Sequence, residues 1–239
     1  MADFLRILNI GNTHVQVFDS GGTDSFAAAG CFPTAGFDWA KEAAFIPALA
    51  VSSVVPELTE KLRRMGAFII SGNLPLPFSP SELDLSTVGA DRIANAAALL
   101  DGPLPAISVD FGTAITIEYV TADRQFAGGA ILPGRMLLRK ALHDHTAQLP
   151  LIPLSGQVPG LPGKNTVDAI RIGTDGGVLG AVQELLRQWR EICSPNPLRI
   201  MACGGDRKFF LNRLDGMTDG TDLFTVRGIR KLWDEYHAR

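Results

Sequence analysis

Much that would give this 239-residue chain away is missing from it. Its only cysteines are Cys31, Cys193 and Cys203, odd in number, scattered and without a CxxC pair. Such a set argues against a disulfide framework or a zinc site and for a reducing compartment. No apolar run approaches the length of a membrane span, so no membrane partner is expected. Asp3 and the strand-like pattern behind it argue against a signal peptide, and a cytoplasmic location is the expectation. The net charge is −3 and the sequence pI is about 5.8, which leaves no basic footprint for nucleic acid. Tyrosine is confined to Tyr119 and Tyr236.

What is present is a device that occurs twice. Asn9-Ile10-Gly11-Asn12-Thr13 is followed by His14, Val15, Gln16 and Val17; Asp110-Phe111-Gly112-Thr113-Ala114 is followed by Ile115, Ile117 and Tyr119. Each copy reads as apolar strand, glycine turn, hydroxyl residue and second strand. Turns of this kind offer backbone N–H groups to an anion, and Thr or Asn side chains add hydrogen-bonding groups. One copy would be an ordinary hairpin. Two copies facing across a cleft could hold a polyphosphate from both sides.

Around this device the chain alternates strands and helices. Strands are expected over residues 4–8, 15–18, 25–29, 48–53, 68–70, 106–109 and 198–202. Asp19-Ser20-Gly21-Gly22 reads as a turn, and residues 39–45 as a short helix. Pro56 opens a helix that stops at Gly66. Pro75, Pro77 and Pro80 exclude regular structure from residues 72–81. An alanine-rich helix follows Gly89, and further helices are expected over 136–148, 166–192 and 229–236. Gly128-Gly129 and Pro133-Gly134 read as punctuation, and residues 150–162 as a Pro/Gly loop. Gly173, Gly176, Gly177 and Gly180 suggest close backbone packing. The expectation is an α/β protein of two related lobes, residues 1–104 and 105–239, with the last helix packing back on the first lobe.

Several residues could carry chemistry. Asp110, at a strand end, suits a hard cation that accompanies phosphates, and Asn9 matches its place in the first copy without the charge. Asp91 starts a predicted helix, where an acid is favoured on capping and dipole grounds alone. It could also accept the proton of an attacking hydroxyl while Arg92 clamps an anionic group. Gly204-Gly205 after a buried strand is either a plain turn or a surface on which a flat base can lie. Thr166, beside Lys164, is either a substrate contact or a helix start. His143 and His145 do not share a helix face and read as surface residues.

Taken together these segments resemble type III pantothenate kinases, members of the acetate kinase, sugar kinase, Hsp70 and actin superfamily. The matching segments are Asn9 to Thr13, Ser52-Ser53-Val54-Val55-Pro56, Gly89-Ala90-Asp91-Arg92, Asp110 to Ala114, the glycine-rich run from Gly128 to Gly134, Gly163-Lys164-Asn165-Thr166 and Gly204-Gly205. The resemblance implies two ribonuclease-H-like (actin-like ATPase) lobes with a nucleotide cleft between them, assembled as a homodimer. It implies transfer of the ATP γ-phosphate to the 4′-hydroxyl of pantothenate, the first step of coenzyme A biosynthesis. Asp91 is then similar to the general base, and Gly89, Ala90, Arg92 and Thr166 to pantothenate contacts, Thr166 reaching across the dimer. Asn9, Ile10, Gly11, Asn12, Thr13, His14, Val15 and Gln16 form the first phosphate loop. Gly112, Thr113, Gly204 and Gly205 join them on ATP. Asp110 matches the ligand of the monovalent cation, K+ or NH4+, and Mg2+ accompanies ATP.

Two departures stand out. The family's first motif begins with Asp, and Asn9 stands there instead, which weakens a Mg2+ site by one charge. Residues 81–88 hold no aromatic residue where the family often carries a Tyr. Both leave open an alternative, a catalytically impaired relative with a ligand-binding or regulatory role.

Overall fold

The structure, a computed structural model, describes residues 4–38 and 48–238. The helix expected over 39–45 lies outside the described residues. The first sheet contains β1 (Leu5–Ile10), β2 (His14–Gly22), β3 (Ser25–Pro33), β4 (Leu49–Ser53) and β5 (Phe68–Ile69), in the order β3-β2-β1-β4-β5. The second contains β6 (Ser79–Pro80), β7 (Ala106–Phe111), β8 (Ala114–Val120), β9 (Gln125–Pro133), β10 (Arg199–Cys203) and β11 (Thr218–Asp219), in the order β11-β10-β7-β8-β9-β6. In each sheet a three-strand antiparallel meander is followed by two parallel strands on the other side of its first strand. β1 corresponds to β7, β2 to β8, β3 to β9, β4 to β10 and β5 to β11, so the repeated sequence device belongs to a repeated sheet. β6 is the addition: it joins the edge of the second sheet from before residue 104, and so corrects the expectation that residues 72–81 hold no regular structure, since an edge strand tolerates Pro80.

Strand phase decides which layer each residue enters. In β1 the alternation puts Ile7 on one face and Leu8 on the other, in different cores. Central β4 is buried along Leu49 to Ser52, as a parallel strand covered on both faces must be.

Seven α-helices are described: α1 (Pro56–Arg64), α2 (Ala90–Leu99), α3 (Arg135–Asp144), α4 (Thr166–Arg171), α5 (Gly177–Cys193), α6 (Arg207–Leu211) and α7 (Phe224–His237). The alanine-rich sequence of α2 is explained by its place. It is buried nearly all round, from Ile93 through Leu99, in a core that includes Ile7 of the first sheet, Val120 of the second and Ile229 of α7. Small side chains let the backbones close in. A β-carbon on Gly228 would lie 2.7 Å from the carbonyl carbon of Ala94, so α7 can pack on α2 only through a glycine at that position. α7 also reaches the first sheet: Arg230 donates to Ser20 Oγ at 2.9 Å, and Trp233 meets Phe68 edge-on at 5.4 Å.

Several local expectations are corrected. Gly21 and Gly22 belong to β2, whose register shifts there, and the turn falls at Thr23-Asp24. Gly128 and Gly129 lie within β9. A β-carbon on Gly129 would fall 2.6 Å from the Ile117 carbonyl carbon, so Gly129 admits a close strand approach, while Gly128 adopts a φ of +90°, and neither ends the strand. The helix expected over 136–148 stops at Asp144. Nothing lies within 4 Å of a β-carbon on Gly173, Gly176, Gly177 or Gly180, so these glycines make no close packing within the described chain. The helix instead passes through a π turn, Ile172–Gly176. The last helix begins earlier than expected, at Phe224.

Candidate active site

The two glycine turns meet. β1 and β7 deliver Asn9 and Asp110 to equivalent strand ends, each one residue before the last of its strand. Gly11 N–H donates to the His14 carbonyl at 2.9 Å, and Gly112 N–H to the Ala114 carbonyl at 3.1 Å. Thr13 Oγ1 and Thr113 Oγ1 then stand 2.9 Å apart across the gap between the sheets. Asn12, Thr13 and His14 are exposed at this point, as are Gly112 and Thr113. Ile10 and Val15 are 1% and 0% exposed, so they offer a ligand only backbone groups.

Gly204 brings the third loop to the same place. Its φ is +86°, and a β-carbon there would press on Asp110 Oδ1 and lie 2.6 Å from the backbone nitrogen of Phe111. Asp206 N–H anchors the loop to the Phe111 carbonyl at 3.0 Å. Gly205 has open space beside its α-carbon. Asp206 is itself held by Arg135, which α3 buries to 2% exposure.

Asp91 and Arg92 occupy the first turn of α2. Asp91 Oδ1 accepts from the Arg92 backbone N–H at 2.8 Å. A β-carbon on Gly89 would fall 2.7 Å from that oxygen, so glycine at this position lets the carboxylate fold back over the helix start. Burial pushes the Asp91 carboxyl up from the ordinary range, against the pull of the Arg92 N–H and charge. An open cleft of about 510 Å³ lined by Ser53, Val54, Pro56, Thr59, Glu60 and Arg63 adjoins this segment at Val54.

Behind Asp91 lies a buried polar network. Asn95, one turn beyond Arg92, donates at 3.4 Å both to Asp110 Oδ2 and to Glu118 Oε2, and accepts from Thr225 Oγ1 at 2.7 Å. Glu118 also accepts from Ser108 Oγ at 2.8 Å and from Arg92 Nε at 3.0 Å. Desolvation pushes Asp110 up to about 6, with the Asp91 charge adding to it. Desolvation likewise pushes Glu118 up to about 7, with the Arg92 charge opposing. Two signals for the network exist in the sequence. Asn95 is a lone amide in an alanine run, and Glu118 is the one charged residue of its strand.

The equivalent strand end of the first sheet carries no charge. Asn9 pairs across the sheet with Gln16 on one side and Ser52 on the other. Asn9 Nδ2 donates to Gln16 Oε1 at 3.3 Å, and Ser52 Oγ is buried without a hydrogen-bond partner among the described residues. No three His, Cys, Asp or Glu side chains gather into a metal cage among the described residues. The donor set fits a hard cation in another way. The Asp110 carboxylate and the Asn9 side-chain carbonyl are what Mg2+ or a monovalent ion uses when phosphate oxygens and water complete its shell.

Thr166 stands apart. It is exposed in the first turn of α4, whose cap is Asn165, accepting from Asp168 N–H at 2.9 Å. No hydrogen bond among the described residues links it to Gly89–Arg92. His143 and His145 are exposed, as expected.

Comparisons with known proteins bear on the family and the fold. A type III pantothenate kinase from Rubrobacter xylanophilus is 40% identical over 172 residues, 66% of this chain and 64% of the relative. The match thus spans less than two thirds of the curated relative's length. A crystal structure of a conserved Baf family protein from Campylobacter jejuni superposes with a TM-score of 0.68 at 21% identity, over 98% of this chain and 100% of that one. The activator of 2-hydroxyisocaproyl-CoA dehydratase from Clostridium difficile, solved with bound ADPNP, superposes with a TM-score of 0.50 at 11% identity, over 98% and 96%. The doubled sheet is therefore the α/β fold of the actin-like ATPases and sugar kinases. The sequence model of one family matches residues 7–188, more than half the chain, and the protein belongs to that family, the type III pantothenate kinases.

Proposed function

We propose that this protein transfers the γ-phosphate of ATP to the 4′-hydroxyl of pantothenate. The observation that carries the reading is the meeting of the two turns at Thr13 and Thr113, with Asp91 on a helix wedged between the same two sheets. Phosphoryl transfer asks for positioning and charge neutralisation more than for covalent help. The N–H groups and hydroxyls of both turns suit the phosphates, and the open face of Gly204-Gly205 suits the base of the nucleotide. Asp91 takes the proton of the attacking hydroxyl, and its raised pKa makes it a stronger base than an exposed carboxylate. Arg92 faces the anionic end of the acceptor. Asp110 and the Asn9 carbonyl would hold the cations, Mg2+ with ATP and K+ or NH4+ at Asp110, whose contribution is to offset phosphate charge. We read the chain as two lobes, 1–104 and 105–239, and as a cytoplasmic homodimer in which Thr166 serves the partner's acceptor site. The open glycines on the outer face of α5 and the π turn suit close approach of a second copy.

The test is ATP-dependent phosphorylation of pantothenate by the purified protein with Mg2+, with and without K+, beside an Asp91→Asn control. Turnover that needs pantothenate and is lost in the control supports the reading; a folded protein without turnover overturns it. One observation favours the second reading, an impaired relative that binds without turnover. The stripe Gln16–Asn9–Ser52 carries no charge where the equivalent stripe of the second sheet has Asp110. Thermal stabilisation by ATP and pantothenate without phosphate transfer is its signature.

A further inference from the structure

We propose that Glu118 is the positioning residue of the acceptor site, acting through Arg92. This rests on the kinase reading above. The pair is asymmetric: the Glu118 side chain is 0% exposed, and the Arg92 side chain, at 16%, reaches from the interior to the surface. Glu118 takes the Nε edge of the guanidinium at 3.0 Å, and the Ile117 carbonyl takes NH2 at 3.4 Å. The remaining nitrogen, NH1, has no hydrogen bond among the described residues. A guanidinium held along one edge presents the other at a fixed angle, and a planar fork suits a carboxylate.

Glu118 cannot follow Arg92 outward. Its second oxygen is occupied by Ser108 Oγ at 2.8 Å and Asn95 Nδ2 at 3.4 Å. It therefore acts as a fixed post for a side chain that is otherwise long and free to rotate. A role in stability alone explains the arrangement poorly. Buried ion pairs are commonly matched or bettered by apolar residues of the same shape. Here the cation sits on the same helical turn as Asp91, and the anchor comes from the opposite sheet. Glu118 thereby sets the acceptor's anionic end and the base in one frame.

Glu118→Gln keeps the shape and removes the charge; Glu118→Asp keeps the charge and shortens the reach. For both we expect the KM for pantothenate to rise by about ten- to a hundredfold, the loss of one charge-assisted hydrogen bond, while the KM for ATP stays within about twofold. Adding Glu118→Gln to Arg92→Ala should cost almost nothing more, because the two act as one unit. A fall in melting temperature with both KM values unchanged would make Glu118 merely structural and overturn the proposal. A readout without substrate keeps the two claims separate. The Arg92 Nε–H should give a slowly exchanging NMR signal in the wild type and lose that protection in Glu118→Gln. If the wild type does not phosphorylate pantothenate, the kinase reading falls, and this signal alone decides whether Glu118 fixes Arg92. Equal exchange in both proteins refutes the positioning role.

Discussion

Thr13 and Thr113, 100 positions apart in the chain, touch hydroxyl to hydroxyl at 2.9 Å. They sit on equivalent turns of equivalent sheets, so each is the other's counterpart in the duplication as well as its neighbour in space. A phosphate entering between them would replace that one hydrogen bond with one from each hydroxyl. Replacing either by valine keeps the shape and removes the hydroxyl. Each substitution should lower kcat/KM for ATP by about ten- to a hundredfold, the cost of one hydrogen bond to a charged group. Because the hydroxyls are in contact, the double variant should lose less than the two single losses combined. Strict additivity in a double-mutant cycle would show that the turns act independently.

Asp91→Asn should lower kcat by about a hundred- to ten-thousandfold and leave the KM for ATP nearly unchanged, as loss of a general base does. The wild-type rate should also fall toward acid. Burial raises the Asp91 pKa, and the base works only when ionised, so activity is lost as pH drops through a midpoint above the ordinary 3.8. A flat rate from neutral pH down to 4 would remove Asp91 from that role.

Asn9→Asp places a carboxylate opposite Asp110 at the equivalent strand end. The half-saturating Mg2+ concentration should fall, and at limiting Mg2+ the rate should rise, since one added charge beside a divalent ion strengthens its binding. Steady-state rates over a Mg2+ titration read this directly. Unchanged Mg2+ dependence and rate would mean that Asn9 is not beside the ion.

The buried acids predict how stability depends on pH. Asp110 and Glu118 are pushed up to about 6 and about 7 from 3.8 and 4.5. A group with a raised folded pKa stabilises the fold fully below its unfolded value and loses that contribution as pH rises through the folded one. Between pH 5 and 8 the melting temperature should therefore decline. Asp110→Asn and Glu118→Gln should each flatten part of that decline. Melting curves at four pH values compare the three proteins, and parallel curves for all of them would contradict the prediction.

Gly204→Ala puts a methyl group into the Phe111 backbone and against Asp110, at a φ of +86° that favours glycine. It should lower the melting temperature and weaken ATP binding together. Nucleotide titration by calorimetry beside a thermal melt checks both, and wild-type values for each would mean that the loop is free to move.

Local motifs were legible in the sequence because they depend on neighbours in the chain. Gly11, Gly112 and Gly89 mark their turns, and the matching order of apolar strand, glycine and hydroxyl residue announced the duplication. The network behind the site was not legible. Asn95 contacts Glu118, 23 residues away, and Thr225, 130 residues away, and no local pattern encodes such partners. Asn95 could have been flagged only as an amide where apolar periodicity wanted another alanine. The glycines also misled where one residue type serves several purposes. Gly128 and Gly129 looked like a strand break and instead lie inside β9, where Gly129 is the relief that lets the strand pass close to β8, which only the paired register reveals.

The packing of α7 on α2 at Gly228 and Ala94 bears on how the protein is made. The helix that carries Asp91 is complete by residue 99, yet one of its faces is covered by residues 224–232. A nascent chain that has emerged only to the end of α5 would hold both glycine turns and Asp91, with that face bare and Asn95 without its Thr225 partner. That face is covered only once synthesis has run more than 120 residues past Asp91. A ribosome stalled before α7 would then display an alanine-rich apolar helix to whatever chaperone or neighbouring chain is nearest.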